Sequence, residues 1–226
     1  MGHSGREQRG RLKRCGGRAD DLGMGARVAG PYVVGVDLDG VVADFYPRIR
    51  ELAAEWLGVA SADLAEDVSY GLREWGFTDE DYCRFHRFAV RERDLFLGMS
   101  VVPGAPQAIR RLAACGIRIR LVTHRLYVDY LHASAALQTV RWLDAHAIPY
   151  RDLCFMEDKP AVEAHLYVED SPRNIEALQA AGHKVIVFTN STNARLRDVR
   201  RRADTWEEVE TLVGADFARW RDAQAS

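Results

Sequence analysis

Five short apolar runs, most of them separated by stretches with helical spacing, constrain this chain more than any other feature. They are YVVGVD from Tyr32, IRIRLVT at 117–123, LCFM at 153–156, HLYVED at 165–170 and KVIVF at 184–188. A strand covered on both faces has no polar side to alternate with, so it reads as a continuous apolar run. Helical patterns lie between the runs: AIRRLAAC from Ala108 after Pro103-Gly104, then YLHASAALQTVRWLDAHA, then PRNIEALQAAG, whose Gly182 suits a C-terminal cap. Strands alternating with helices predict an α/β fold, a doubly wound parallel sheet with helices on both faces. Right-handed crossovers then bring the C-terminal ends of the strands to one edge, where such sheets bind ligands.

Residues 45 to about 100 break the alternation, because RIRELAAEWLGV and DEDYCRFHRFAVRERDLF read as helices with no strand between them. The expected division is a core of 31–45 and 101–226, with a small helical cap, 46–100, inserted after the first strand. Ten of the 21 aromatic residues fall in and just before that insertion. Most are needed to give a small helical unit any core at all. A surplus one or two facing the strand edge would form a stacking platform, with Phe45, Tyr70 and Trp75 as candidates. Residues 1–30 hold eight of the 18 glycines and no apolar periodicity; they are expected to form a disordered tail, with Met24 as an alternative start.

With 31 basic against 33 acidic residues the formal charge is −2, so there is no electrostatic case for binding a nucleic-acid polymer. No run approaches the roughly 20 apolar residues that span a bilayer, and the N-terminus lacks an apolar signal segment, so a cytoplasmic location is expected. Cys15, Cys83, Cys115 and Cys154 are isolated, which argues against a disulfide framework or a structural zinc.

The strongest local signal is VVGVDLDGVVADF at 33–45. Asp37 and Asp39, two apart at a strand end, project to one side, and Gly40 allows a sharp turn around whatever they hold. Two crowded carboxylates repel and lose hydration unless a cation or substrate compensates. A turn-forming role accounts for Asp39-Gly40 but not for Asp37 inside an apolar strand. Asp44, before a helical run carrying Pro47, reads as a helix N-cap. Thr123 ends the second strand, where a hydroxyl and free N–H groups suit a phosphate. Lys159 is one of only three lysines in the chain, and it follows the LCFM strand by three residues. Glu169 and Asp170 end the next strand. Singly these are ordinary loop residues; together they deliver carboxylates, a hydroxyl and an ammonium to one sheet edge.

In that order, Asp37-Leu-Asp-Gly-Val-Val-Ala-Asp44-Phe45, a strand ending in Thr123, then Lys159, then Glu169-Asp170, the chain resembles the haloacid dehalogenase superfamily of aspartyl-phosphate phosphatases. Within it the chain resembles the 5'(3')-deoxyribonucleotidases of cytosolic and mitochondrial type and their bacterial relatives. That closer likeness covers about 32–213 and also rests on Phe96, Pro103-Gly104-Ala105, the E-D-x-P of Glu169 to Pro172, Val187-Phe188-Thr189, Asn193 and Trp206. The resemblance implies a Rossmann-like core and hydrolysis of a nucleoside or deoxynucleoside 5'-monophosphate. It assigns Asp37 as nucleophile and Asp39 as general acid and base, with Thr123 and Lys159 on the phosphoryl oxygens and Glu169 behind them. Mg²⁺ would be held by the carboxylates of Asp37 and Asp170 and the backbone carbonyl of Asp39.

The chain departs from the family after Thr123, where small or hydroxyl residues are usual and His124 and Arg125 stand here. These side chains would add a phosphate or sugar contact or block one, and His124 fits a surface histidine equally well. A phosphatase for a sugar phosphate therefore stays open as the alternative, and a nucleotide-binding module without turnover is the third reading. No membrane partner is expected, and a homodimer stays open.

Overall fold

The computed structural model describes residues 30–69, 71–127, 131–197 and 199–225. Residues 1–29 of the expected tail and Tyr70 lie outside the described residues. Strand β1 (Val33–Val36) is buried at every position and runs into a tight loop, where the Leu38 carbonyl accepts from the N–H groups of Val41, Val42 and Ala43. A two-residue strand β2 (Ala43–Asp44) follows, then helix α1 (Phe45–Leu57), which Gly58 ends in the left-handed conformation at φ 71°. Helix α2 (Asp79–Glu92) opens on a reciprocal cap between Thr78 and Asp81. Strand β3 (Ser100–Val101) returns antiparallel to β2, pairing Ala43 with Val101 and Asp44 with Ser100.

The rest alternates as expected: α3 (Ala105–Ala114), β4 (Arg118–Thr123), α4 (His132–Ala145), β5 (Asp152–Phe155), β6 (Leu166–Glu169), α5 (Pro172–Ala180) and β7 (Val185–Phe188). A short β8 (Arg202–Ala203) and the 20-residue α6 (Trp206–Ala225) complete the described chain. Gly182 stands past α5 at φ 84°, as a C-terminal cap requires.

The main sheet has the order β5-β4-β1-β6-β7-β8, with every pairing parallel. From β1 the chain moves outward through β4 and β5, then crosses back to build β6, β7 and β8 on the other side. β1 therefore sits at the switch point, and the loops after β1, β4, β5 and β6 share one edge. One apolar core runs from β1 and β4 through α3 and α6 into the inserted segment, where Leu52, Phe77 and Phe85 belong to it. A smaller one beneath α5 contains Tyr167, Ile175 and Val187. Asp216 fastens α6 to the sheet. Its buried carboxylate accepts from Tyr32 Oη at 2.6 Å, Lys184 Nζ at 2.9 Å and Arg219 Nη2 at 2.9 Å.

Three details differ from the sequence reading. β2, β3 and β8 are each two residues long, too short to leave a periodic pattern. α1 begins at Phe45, three residues before the apolar spacing becomes regular. Asp44 occupies the N-cap position and pairs with Ser100, but its side chain makes no capping hydrogen bond. No helix among the described residues is long and apolar enough to cross a membrane.

Candidate active site

Asp37 is the first residue past β1, and its N–H still donates to Val168 O of β6 at 3.0 Å, which fixes where the side chain emerges. Oδ1 accepts from Lys159 Nζ at 2.6 Å. Lys159 opens a single 3₁₀ turn (Lys159–Ala161) after β5 and is 2% exposed. The same ammonium donates to Glu169 Oε2 at 2.6 Å, and Glu169 Oε1 accepts from the N–H groups of Asp170 and Ser171. Glu169 thus aims the lysine and shapes the loop that carries Asp170. Asp170 is steadied from the loop after β7: Asn190 Nδ2 donates to its Oδ2 at 2.5 Å, and Asn193 Nδ2 donates to its carbonyl at 2.8 Å.

One carboxylate oxygen from each of Asp37, Glu169 and Asp170 lies within 4.8 Å of the others, all three residues being buried. A single ammonium does not balance them. Burial, then the charge of Glu169, push the Asp37 carboxyl up to about 7 against the pull of Lys159. Burial and the charge of Asp37 likewise drive Asp170 well above the ordinary carboxylate range. Burial alone would lower the Lys159 ammonium, but the two carboxylates overcome it and hold it above its usual value. A cluster of hard oxygen donors short of positive charge fits a divalent cation such as Mg²⁺. Since Glu169 is already engaged with Lys159 and two N–H groups, Asp37 and Asp170 are the carboxylates left to hold it.

Asp39 turns the other way. Both its oxygens meet the Arg125 guanidinium at 2.7–3.2 Å, so its side chain is not part of the acidic cluster. Thr123 ends β4 beside β1, fully buried, and its hydroxyl has no partner among the described residues. An orphaned buried hydroxyl at a strand end is what a phosphoryl oxygen would satisfy.

These groups border a cavity of about 320 Å³. Asp37, Asp39, Lys159 and Asp170 reach it from the sheet edge. The inserted segment and its flanks supply an aromatic side: Phe45 and Tyr46 from α1, Tyr82 and His86 from α2, and Phe96. His124 lines the cavity half-buried, and burial pushes its imidazole down. Of the residues expected from sequence, Asp37, Asp39, His124, Lys159, Phe45 and Asp170 border one cavity, with Thr123 at the same edge. Trp75 does not. It is buried in the inserted segment with its indole N–H on Ala65 O at 2.9 Å, serving the segment's own core.

Sequence reasoning missed three features. Tyr82 and His86 lie one helical turn apart, a spacing that puts them on one face of α2, and that signal was available. His86 is 2% exposed with no partner for Nδ1 among the described residues, and burial pushes its imidazole down to about 4. The bonds from Asn190 and Asn193 to Asp170 span a loop and had no sequence signature.

A model of the family described as 5' nucleotidase, deoxy (Pyrimidine), cytosolic type C matches residues 31–219. A protein of Chlorobaculum tepidum, provisionally named 5'(3')-deoxyribonucleotidase, is 49% identical over 184 residues, covering 81% of this chain and 90% of that one. A solved HAD-superfamily hydrolase from Geobacter sulfurreducens superposes with a TM-score of 0.52 at 17% identity, covering 81% of this chain and 100% of the other. A protein of Haemophilus somnus described as a predicted phosphoglycolate phosphatase gives 0.57 at 15% identity, covering 82% and 99%. At such identities the two solved structures speak for the fold alone.

Proposed function

The chain belongs to the family of deoxy(pyrimidine) 5'-nucleotidases of cytosolic type C, and on that premise we propose that it is a Mg²⁺-dependent phosphatase of nucleoside or deoxynucleoside 5'-monophosphates. The observation that carries the reading is Asp37, held at 2.6 Å by a buried ammonium at the sheet-edge end of a cavity that Phe45, Tyr46, Tyr82 and Phe96 also line. That pairing offers a carboxylate to phosphorus and an aromatic surface to a nucleobase. The aromatic side also favours a nucleotide over the sugar phosphate that the sequence left open.

In this mechanism an Asp37 oxygen attacks phosphorus, the bond to the 5' oxygen breaks, and Asp39 gives that oxygen a proton. Asp39 then takes a proton from the water that attacks the aspartyl-phosphate, which releases inorganic phosphate and restores Asp37. Thr123 Oγ1 and Lys159 Nζ hold the phosphoryl oxygens throughout, and Lys159 also keeps Asp37 oriented. A Mg²⁺ ion bound by Asp37, Asp170 and the Asp39 carbonyl would supply the charge that lets a carboxylate approach a dianionic phosphate. Inserted residues 46–100 act as the cap that excludes water and holds the base. The remaining expectations are a nucleoside monophosphate as the small-molecule partner and a cytoplasmic setting.

Phosphate release from a panel of nucleoside 5'-monophosphates and sugar phosphates in Mg²⁺ buffer tests the reading. Preference for mononucleotides is expected. Release confined to sugar phosphates would replace the substrate class, and binding without any release would leave only a nucleotide-binding module.

A further inference from the structure

Arg125 lies two residues beyond Thr123, and although it lines the cavity its side chain is only 1% exposed. Its guanidinium is fixed on every side. Nε and Nη2 donate to the two oxygens of Asp39, at 3.0 Å to Oδ2 and 2.7 Å to Oδ1. Nη1 donates to Thr139 Oγ1 of α4 at 3.1 Å, and that hydroxyl is itself anchored on Ala135 O at 2.7 Å. Nη2 also lies 3.7 Å from Met99 Sδ, and the cation sits 4.5 Å from the centre of the Phe96 ring.

A buried guanidinium gains little net stability from one carboxylate, because both groups give up hydration. Two parallel N–H···O bonds from a rigid fork do set the plane of the carboxylate they grip, which a lysine ammonium does not do. The fork here is gripped in turn by α4, Met99 and Phe96. The Asp39 side chain therefore has one orientation imposed from outside its own loop, while a quarter of its surface stays open toward the cavity.

Building on the phosphatase reading, we infer that Arg125 is a positioning residue, holding the Asp39 carboxyl where it delivers its proton to the leaving oxygen of the phosphomonoester. It takes no part in bond making: phosphorus passes from the leaving oxygen to Asp37, and the proton passes from Asp39 to that oxygen. Arg125 neither gains nor loses a proton. The arginine that departs from the family pattern after Thr123 thus acts on the acid, not as a second phosphate clamp.

The test compares kcat/KM for two esters, since that ratio reports the steps up to departure of the leaving group. A deoxynucleoside 5'-monophosphate leaves as an alkoxide and needs the proton; p-nitrophenyl phosphate leaves as a stabilised phenolate and does not. Arg125→Lys and Arg125→Gln are each expected to lose roughly 10- to 100-fold more on the nucleotide than on the aryl ester, in the same direction as Asp39→Asn. Equal losses on both esters, or no loss on either, would overturn the inference. Wild-type activity in Arg125→Lys would overturn it too, because a point charge would then suffice. Thr139→Val keeps the arginine and removes one anchor; it is expected to show a weaker form of the same bias, and equal behaviour on both esters counts against the inference even if the Arg125 variants fail to fold. Wild-type protein that releases phosphate from neither ester would overturn the phosphatase reading itself, and this inference with it.

Discussion

Gly40 and Asp170 approach so closely that a Cβ on Gly40 would stand 2.2 Å from Asp170 Oδ2, and Gly40 holds φ at 80°, a conformation other residues adopt at a cost. The turn that presents Asp37 and the loop that presents Asp170 therefore fit only around a residue without a side chain. Gly40→Ala is expected to cost about 1–3 kcal/mol of stability and to lower kcat/KM on the order of 10²-fold by displacing one loop or the other. Gly58→Ala is the control. Its φ is 71°, but a Cβ there meets nothing within 4 Å, so it pays the backbone strain alone. Denaturant melts and initial rates on both proteins separate strain from displacement; equal rates in the two would contradict the displacement argument.

Asp37→Asn is expected to reduce turnover by at least about 10³-fold, since the amide is no nucleophile. It should not lower the thermal midpoint in metal-free buffer at pH 8. The amide still accepts from Lys159, and the repulsion that burial and Glu169 impose on Asp37 disappears. A stable but active Asp37→Asn protein would sink the nucleophile assignment. A large drop in melting temperature would sink the charge argument.

Removing divalent metal with EDTA should abolish phosphate release, and Mg²⁺ should restore it. Because the cation would bind the folded chain alone, adding Mg²⁺ at about 100 times its dissociation constant should stabilise by about 2.7 kcal/mol. Asp170→Asn should remove that thermal shift. Persistence of the full shift in that variant would mean the cation binds elsewhere.

Asp216 gives a pH dependence away from the active site. Burial pushes its carboxyl up, but donation from Tyr32, Lys184 and Arg219 outweighs that and holds it at about 2. A folded value below the unfolded value of about 3.9 means the unfolded chain binds the proton first. The stabilisation is thus complete above about pH 4 and lost as pH falls toward 2, amounting to about 2 kcal/mol. Asp216→Asn should lose that much at pH 7 and flatten the acid limb of a stability profile. An unchanged limb would show that other carboxylates govern acid unfolding.

The sheet was legible because its central strands β1, β6 and β7 are buried at every position and so leave short apolar runs. The edge where Asp37, Lys159 and Asp170 meet was legible because the loops after β1, β5 and β6 carry carboxylates or lysine that turns do not need. The direction in which Asp39 points was not legible. Its partner lies 86 residues away, and the anchors of that partner come from two further stretches, Phe96 and Met99 before β3 and Thr139 in α4. Trp75 misled for the converse reason. An aromatic residue in a small inserted segment serves either a core or a ligand, and only packing shows that its indole turns inward to Ala65.

The antiparallel pairing of Ala43 with Val101 and of Asp44 with Ser100 sets the points where the chain leaves and rejoins the sheet side by side. A segment tied off at such a neck can vary in its outer part while Phe96 and Met99, beside the neck, keep their hold on Arg125. On the proposed function, selection on substrate range can therefore work on the aromatic residues of α1 and α2 while Asp37, Lys159 and Asp170 keep their places, and a graft that retains Phe96 and Met99 would carry the same freedom into the laboratory.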